Sequence, residues 1–359
     1  MIGIDRARVW ASFEELDTDL VILGIQKRFS NIKPRKLAGN TQAFKINEKN
    51  INEIRITENA GKVLIKIDFS YARFRSDSNF LPLSTESEKE IVENYLLKII
   101  KEITLKKILR SDLHYDYLEI CLQENIKKFH DYHNIISIFY RALKRKNYSK
   151  IGTCFKDFDY QSDFYYNTGF IFQINTGWKI RLYNKTCEHN KKYPNQIRGD
   201  NLRLEHRLSK TALDVYCKSS KVVDLKLQVI KQEILKKIGK KLFEYFKDEL
   251  YRDIEILKTK FEDFDSRELS QLVRDYQEHI LDEKIINQII TEKSQKSERQ
   301  IKRYRQKIKE ALKDYERNGH TKRSNFGNLE RLEYFFNNFL YVDVMLKCDY
   351  ENPLALSLP

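Results

Sequence analysis

The sequence predicts an α+β chain: a central antiparallel sheet with helices over residues 1–219, followed by an all-helical domain over 220–359. Two observations carry this. Short segments of the first part alternate apolar and polar residues, the period of a half-buried strand. From Val222 onward apolar residues recur at helical spacing instead. A chain of 359 residues buries an ample core in one large or two ordinary domains.

The elements follow in order. Val63, Ile65, Ile67 and Phe69 share one side of a strand over 62–69. Residues 76–84, with Pro82, read as a loop. Thr85 and Glu88 form a capping box, so a helix should run from there to about Ile103. Residues 109–117 alternate again. A helix is expected over 124–144, with Ile126, Phe129, Tyr132, Ile136 and Tyr140 at helical spacing. Residues 171–174, 179–184 and 201–208 are strand-like. The pattern changes at Lys218, Ser219, Ser220 and Lys221. Beyond it Val229, Ile230, Ile234, Ile238, Leu242 and Phe246 mark one apolar stripe. Asp265 with Glu268, and Ser297 with Gln300, cap two further helices.

Composition narrows the function. Lys and Arg number 66 against 52 Asp and Glu, a net charge of +14. That balance suits a polyanionic partner: DNA, RNA or an anionic membrane. Hydrophobic content of 41% argues against global disorder. No apolar run is long enough for a membrane span, and the N-terminus lacks the pattern of a signal peptide. Five scattered cysteines, an odd count with no CxxC pair, point to a reducing cytoplasm rather than a disulfide framework or a Cys-based zinc site. Seven histidines include no HxH and no HExxH. Neither a GxGxxG turn nor a Walker A loop is present, which argues against nucleotide-driven chemistry.

Three strands each carry a charged face. In the first, Leu109, Leu113, Tyr115 and Tyr117 fall on one side, and Arg110, Asp112, His114 and Asp116 on the other. In the second, Ile180 and Leu182 oppose Arg181, Tyr183 and Lys185. In the third, Leu202, Leu204 and Leu208 oppose Arg203, Glu205 and Arg207. Paired in one sheet, the polar faces would form a single surface. Carboxylates and an imidazole there can hold a divalent metal, and arginines a phosphodiester. A tyrosine beside them can be a nucleophile. The same pattern also fits an ordinary water-facing sheet with cross-strand Arg–Glu pairs.

The order and wording of these segments resemble the gene II/X family of phage and plasmid replication proteins, the rolling-circle initiators of filamentous-phage gene II type. MIGIDRARV resembles the family's opening strand, with Gly3 where Asp is usual and Asp5 two residues on. KIDFS at 66–70, with Asn79 and Leu83, resembles its second strand and loop. RSDLHYDY at 110–117 resembles a third segment. LYNKTCE at 182–188 resembles the segment that carries the nicking tyrosine, and LRLEHRL at 202–208 the strand after it. The likeness covers residues 1–215 best.

The resemblance implies a rolling-circle initiator fold and a transesterification. Tyr183 would attack the scissile phosphate, leaving a 5′-phosphotyrosine and a free 3′-OH. Lys185 would stabilise the phenolate. Mg²⁺ or Mn²⁺ would sit on Asp112 and Glu205, with Glu188 third and His114 a further candidate. Arg110, Arg181, Arg203 and Arg207 would bind phosphates. The partner would be replication-origin DNA, single-stranded or extruded at the nick site, with a host helicase and a second copy of the chain as further candidates. On the C-terminal side, Arg299, Lys302, Arg303 and Arg305 lie on a basic amphipathic helix after a predicted helix over 282–292 and a turn, an arrangement like a helix-turn-helix. His130 and His133, and the basic cluster over 141–150, are lesser candidates. The rival readings are a DNA- or RNA-binding protein without catalysis, and a conjugative relaxase.

Overall fold

The computed structural model describes residues 1–126, 153–159, 164–231, 235–244, 297–317 and 337, save 31, 47, 49, 77, 195, 196 and 198. The chain divides into two compact units. The first is Met1–Glu124, Ile174–Arg181 and Arg203–Lys237; the second is Asn125–Gln173, Leu182–Leu202 and Ile238–Pro359. The architecture is α+β, a large antiparallel sheet with helices. No described helix is long and apolar enough to cross a membrane.

In chain order the first unit holds β1 (Ile2–Glu14), α1 (Thr18–Arg28), β2 (Arg35–Lys36), β3 (Thr41–Lys45), β4 (Ile51–Asn59), β5 (Lys62–Ser70), α2 (Ala72–Arg75), α3 (Glu86–Thr104) and β6 (His114–Ile126). It also takes in parts of β9 (Trp178–Asn184) and β10 (Asp200–Ser209), and the helix α5 (Lys210–Cys217) that follows β10. Its strand order is β2-β3-β4-β5-β1-β6-β10-β9. Pairing aligns the apolar alternation of neighbours. Ala7, Val9, Ala11 and Phe13 of β1 stand opposite Phe69, Ile67, Ile65 and Val63 of β5. Ile54 and Ile56 of β4 continue those rows. All are buried, each large side chain contributing about 1.5–3 kcal/mol.

Helix α3 covers this face. Thr85 caps it as its spacing predicts: its Oγ1 accepts from the Glu88 amide at 3.4 Å and donates to the Glu88 carboxylate at 2.6 Å. Val92, Leu96, Ile99, Ile100 and Ile103 are its buried stripe, and α1 packs against it. A buried polar knot ties it to the sheet. Glu93 accepts from Lys89 at 2.8 Å, Tyr71 at 3.2 Å and Tyr115 at 3.4 Å.

Two predicted elements differ. Arg110 and Asp112 do not lie on a strand: Arg110–Asp112 is a single 3-10 turn, and β6 begins at His114. The Asp112 carboxylate closes the turn by accepting from the Leu109 amide at 2.8 Å, a local bond that competes with the ladder. Residues 124–126, expected to start a helix, still belong to β6. Its backbone is held there by β1, with the Gln123 amide donating to the Met1 carbonyl at 2.8 Å. The rest of that expected helix, His130, His133 and the segment 265–292 lie outside the described residues.

In the second unit, β7 (Thr153–Asp159) pairs antiparallel with β8 (Phe164–Asn175), and the end of β9 flanks β8 on its other side. α4 (Lys185–Lys192) starts directly from β9, and the helix Glu298–Arg317 follows far along the chain.

Candidate functional site

The polar face of the first unit's sheet is shaped by two β-bulges. Between Ile4↔Ile120 and Ala7↔Leu118, β1 carries one extra residue, so Asp5 and Arg6 both stand opposite Glu119. Between Arg8↔Tyr117 and Val9↔Tyr115, β6 carries the extra residue, so Asp116 and Tyr117 both stand opposite Arg8. A bulge re-aims side chains and concentrates them. Tyr117, expected beside Tyr115 on the apolar face, is thereby turned to the polar one.

Asp68 is the hub of that face. It accepts from Arg6 at 2.7 and 2.9 Å, from Arg8 at 3.0 Å, from Asn52 at 3.0 Å and from the Tyr117 hydroxyl at 2.6 Å. Burial alone would raise its pKa; the Tyr117 hydrogen bond and the two guanidinium groups overcome that and hold it below the usual range. Burial and the Asp68 charge push the Tyr117 phenol well up, so it stays a proton donor. Arg207 lies over the Tyr117 ring, 3.7 Å from its centroid. Asp116 takes Lys66 at 2.9 Å and Arg8 at 3.4 Å.

A second cluster gathers on the bulge of β1. The Glu119 carboxyl is pushed up to about 8, first by burial and then by the charges of Glu205 and Asp5, against Arg207 and Arg6. Arg207 reaches Glu119 at 3.5 Å. Glu205 takes Arg203 at 3.6 Å and Arg181 at 3.8 Å. Arg203, expected on an open face, is 0% exposed. It donates to Gln123 at 2.8 Å, Asp5 at 3.1 Å, the Asn79 carbonyl at 3.0 Å and the Phe80 carbonyl. Its guanidinium therefore pins the loop before α3 to the sheet. Gly3 serves the same junction: a Cβ there would collide with the Leu83 carbonyl oxygen, which accepts from the Ile4 amide at 2.8 Å.

Arg110 stands apart from the cluster, paired to α3 through Glu90 at 3.0 Å, Glu86 at 3.6 Å and Glu93. Asp112 is exposed and engaged with its own turn. His206, on β10, is buried and accepts at Nδ1 from the Trp178 indole at 3.2 Å; burial pushes its pKa down to about 3, so it is neutral.

Among the described residues no group of three or more His, Cys, Asp or Glu side chains is arranged to hold a metal ion. The donor chemistry that fits one is the pair Glu119 and Glu205. Burial and the neighbouring charges of Glu205 and Asp5 make the Glu119 carboxyl costly to ionise, and a hard divalent cation with water completing its shell relieves that cost.

The second unit holds the motif tyrosine. Tyr183 is 4% exposed. Lys185 does not continue the strand face as expected. The chain turns helical there because the Asn184 side chain caps α4, accepting from the Cys187 amide at 3.1 Å. The Lys185 ammonium, 1% exposed, lies 2.5 Å from Glu188 and 5.8 Å from the Tyr183 ring centroid. Gly169 of β8 lets the backbones close: a Cβ there would come within 2.5 Å of the Tyr183 Cβ. Arg299, Lys302, Arg303 and Arg305 are exposed on the helix Glu298–Arg317.

Asp5, Arg6, Arg8, Asp68, Tyr117 and Glu119 are the residues that sequence reasoning did not place in the site. All but Glu119 sit within the quoted motif segments, but their place on the polar face was not legible, because period-two counting runs straight through a bulge.

No family model and no curated protein matches the chain. Among solved structures, it is similar to the rolling-circle replication initiator protein from Geobacillus stearothermophilus, with TM-score 0.36 and 15% identity over 67% of this chain and 83% of that one. It is also similar to the di-domain aromatase/cyclases BexL, from the BE-7585A biosynthetic pathway (TM-score 0.20, 7% identity, 68% of this chain and 98% of that one), and StfQ, from the steffimycin pathway (0.21, 9%, 67% and 96%). These scores are too low for any of the three to carry an argument, and the functional reading rests on the residues.

Proposed function

We propose that the protein is a rolling-circle replication initiator that nicks one DNA strand through a covalent tyrosine intermediate. The observation that carries the reading is the polar sheet face: Glu119 and Glu205 desolvated together, with Asp5 beside them, framed by the partly exposed guanidinium groups of Arg6, Arg181 and Arg207. Carboxylates for a cation and arginines for a phosphodiester are the parts phosphoryl transfer needs. The Tyr183–Lys185–Glu188 segment supports it, since the ammonium lies near the tyrosine ring it would serve.

Tyr183 Oη loses its proton and bonds to phosphorus; the bond from phosphorus to the 3′-oxygen breaks, and that oxygen leaves as a 3′-hydroxyl after taking a proton. One phosphoester replaces another, so no nucleotide fuel is consumed. The Lys185 ammonium stabilises the phenolate, and Glu188 orients the ammonium. Arg6, Arg181 and Arg207 bind phosphate oxygens, while Arg203 positions Asp5 and Glu205 from beneath. Glu119 and Glu205 would hold Mg²⁺ or Mn²⁺, which would supply positive charge to phosphate oxygens bound on the first unit's face.

The burial of Tyr183 favours a second reading, a DNA-binding protein without catalysis, because the nucleophile must be uncovered for attack. A pool of random-sequence single-stranded DNA, end-labelled and incubated with Mn²⁺, separates the two. Label that stays with the protein through denaturation in wild type, and not in Tyr183→Phe or in EDTA, is expected. Reversible binding with no such label would leave only the binder.

A further inference from the structure

One row of the first unit's polar face carries two aromatic rings, with one of its lysines, Lys66, also paired to Asp116 at 2.9 Å. Trp10 of β1 stands opposite Lys66 of β5 on one side and His114 of β6 on the other. His114 in turn bridges to Lys221, whose short segment pairs with the start of β6 through the bonds Tyr115 N to Ser220 O at 2.8 Å and Val222 N to Leu113 O at 3.0 Å. Cross-strand partners point to the same side of a sheet. Lys66, Trp10, His114 and Lys221 therefore form one line on the charged face, about 14 Å from end to end at the usual strand spacing.

The two rings of this line are stacked, centroids 4.7 Å apart and planes 19° from parallel. Both are only partly buried. The exposed Lys210, first residue of α5, holds its ammonium 5.2 Å from the Trp10 centroid. Burial and then the Lys210 and Lys221 charges lower the His114 pKa. The large aromatic groups Phe69, Tyr71, Tyr115 and Trp178 are instead fully enclosed. A half-open tryptophan on a sheet face, stacked on a second ring and flanked by three lysines, has the make-up of a platform for an unpaired base: a sequence-tolerant π-surface with cations for the phosphates on either side.

We infer that Trp10 and His114 form a stacking platform for an unpaired nucleobase of single-stranded DNA, with Lys66, Lys210 and Lys221 taking the adjoining phosphates. The base stacks on the indole and the Lys210 ammonium moves from the ring to the backbone. The inference rests on the reading that this sheet face receives single-stranded DNA, but it does not require nicking.

The chain has two tryptophans, and Trp178 is enclosed, so quenching of fluorescence reports Trp10. Ten-residue oligothymidylate is expected to quench the full-length protein. An abasic ten-residue backbone of equal charge, or the same length of duplex, is not. Trp10→Leu, which keeps bulk and removes the π-surface, should weaken binding of labelled oligothymidylate about tenfold or more, the scale of one missing base stack, with the unfolding midpoint retained. His114→Phe, which keeps a ring, should bind within about twofold of wild type, since sequence-tolerant stacking needs only a π-face. Equal quenching by the abasic backbone would overturn the platform in favour of charge alone, and so would undiminished binding by Trp10→Leu. Should Trp10→Leu fail to fold, the wild-type comparison of thymidylate with abasic backbone still decides. Quenching without any covalent adduct would sink the nickase reading and leave the platform standing; an adduct without base-dependent quenching would do the reverse.

Discussion

Replacing Glu119 by Gln should stabilise the metal-free protein, and increasingly so as pH rises from 6.5 to 8. The Glu119 carboxyl titrates near 8 in the fold against an ordinary 4.5, through burial and the charges of Glu205 and Asp5. The folded protein therefore binds more protons than the unfolded chain between those values, and stability falls as pH rises through that window. The full span corresponds to about 5 kcal/mol, and the stretch from pH 6.5 to 8 to about 2 kcal/mol. His206 acts in the opposite sense lower down. Held neutral with a pKa near 3 against 6.5, it contributes stability that is present above 6.5 and lost as pH falls. Below pH 6.5 the two slopes oppose each other, so the window above it is the clean one. Urea unfolding of wild type and Glu119→Gln in EDTA, at half-unit steps, gives the difference directly and cancels the histidine. A gap that widens by about 2 kcal/mol is expected. Mn²⁺ should close it from the wild-type side by holding Glu119 ionised, and should leave Glu119→Gln unmoved. Parallel profiles in EDTA would refute the claim that burial, with the charges of Glu205 and Asp5, keeps this carboxyl protonated.

Two further outcomes follow from the same geometry. Arg203→Met removes a fully enclosed cation and strands Asp5 and Gln123, so urea unfolding should show a loss of about 3–5 kcal/mol; a loss below about 1 kcal/mol, the scale of an exposed ion pair, would mean that water reaches the pair. Changing Arg299, Lys302, Arg303 and Arg305 together to Gln should weaken duplex binding and flatten the dependence of log affinity on log salt by about 0.9 for each phosphate no longer neutralised; an unchanged slope would remove this helix from the DNA interface.

Much of the scaffold was legible because its signals are local. The alternation of Val63, Ile65, Ile67 and Phe69 is β5, and the Thr85–Glu88 pair marks the start of α3. Segments 171–174, 179–184 and 201–208 fall within β8, β9 and β10. Each depends on neighbours within a turn or a strand, which the sequence displays directly.

The site was legible in its residue types more than in its geometry. Glu205, Arg181 and Arg207 are found on the charged face, but the carboxylate beside Glu205 is Glu119, not Asp112. The reason lies in the two bulges, where one strand holds an extra residue against its partner. A bulge is a property of a pair of strands, so neither sequence segment encodes it alone. The same holds for Arg203. Its polar identity and odd position read as an open face, yet the carbonyls of Asn79 and Phe80 and the side chains of Asp5 and Gln123 close over it from elsewhere in the chain. By itself the sequence determined several of the strands and the start of α3, the excess of positive charge and the set of chemical groups at hand. Which of those groups meet, which are desolvated and which are turned inward was decided by long-range pairing, since burial and the electrostatics it creates exist only once distant segments pack together.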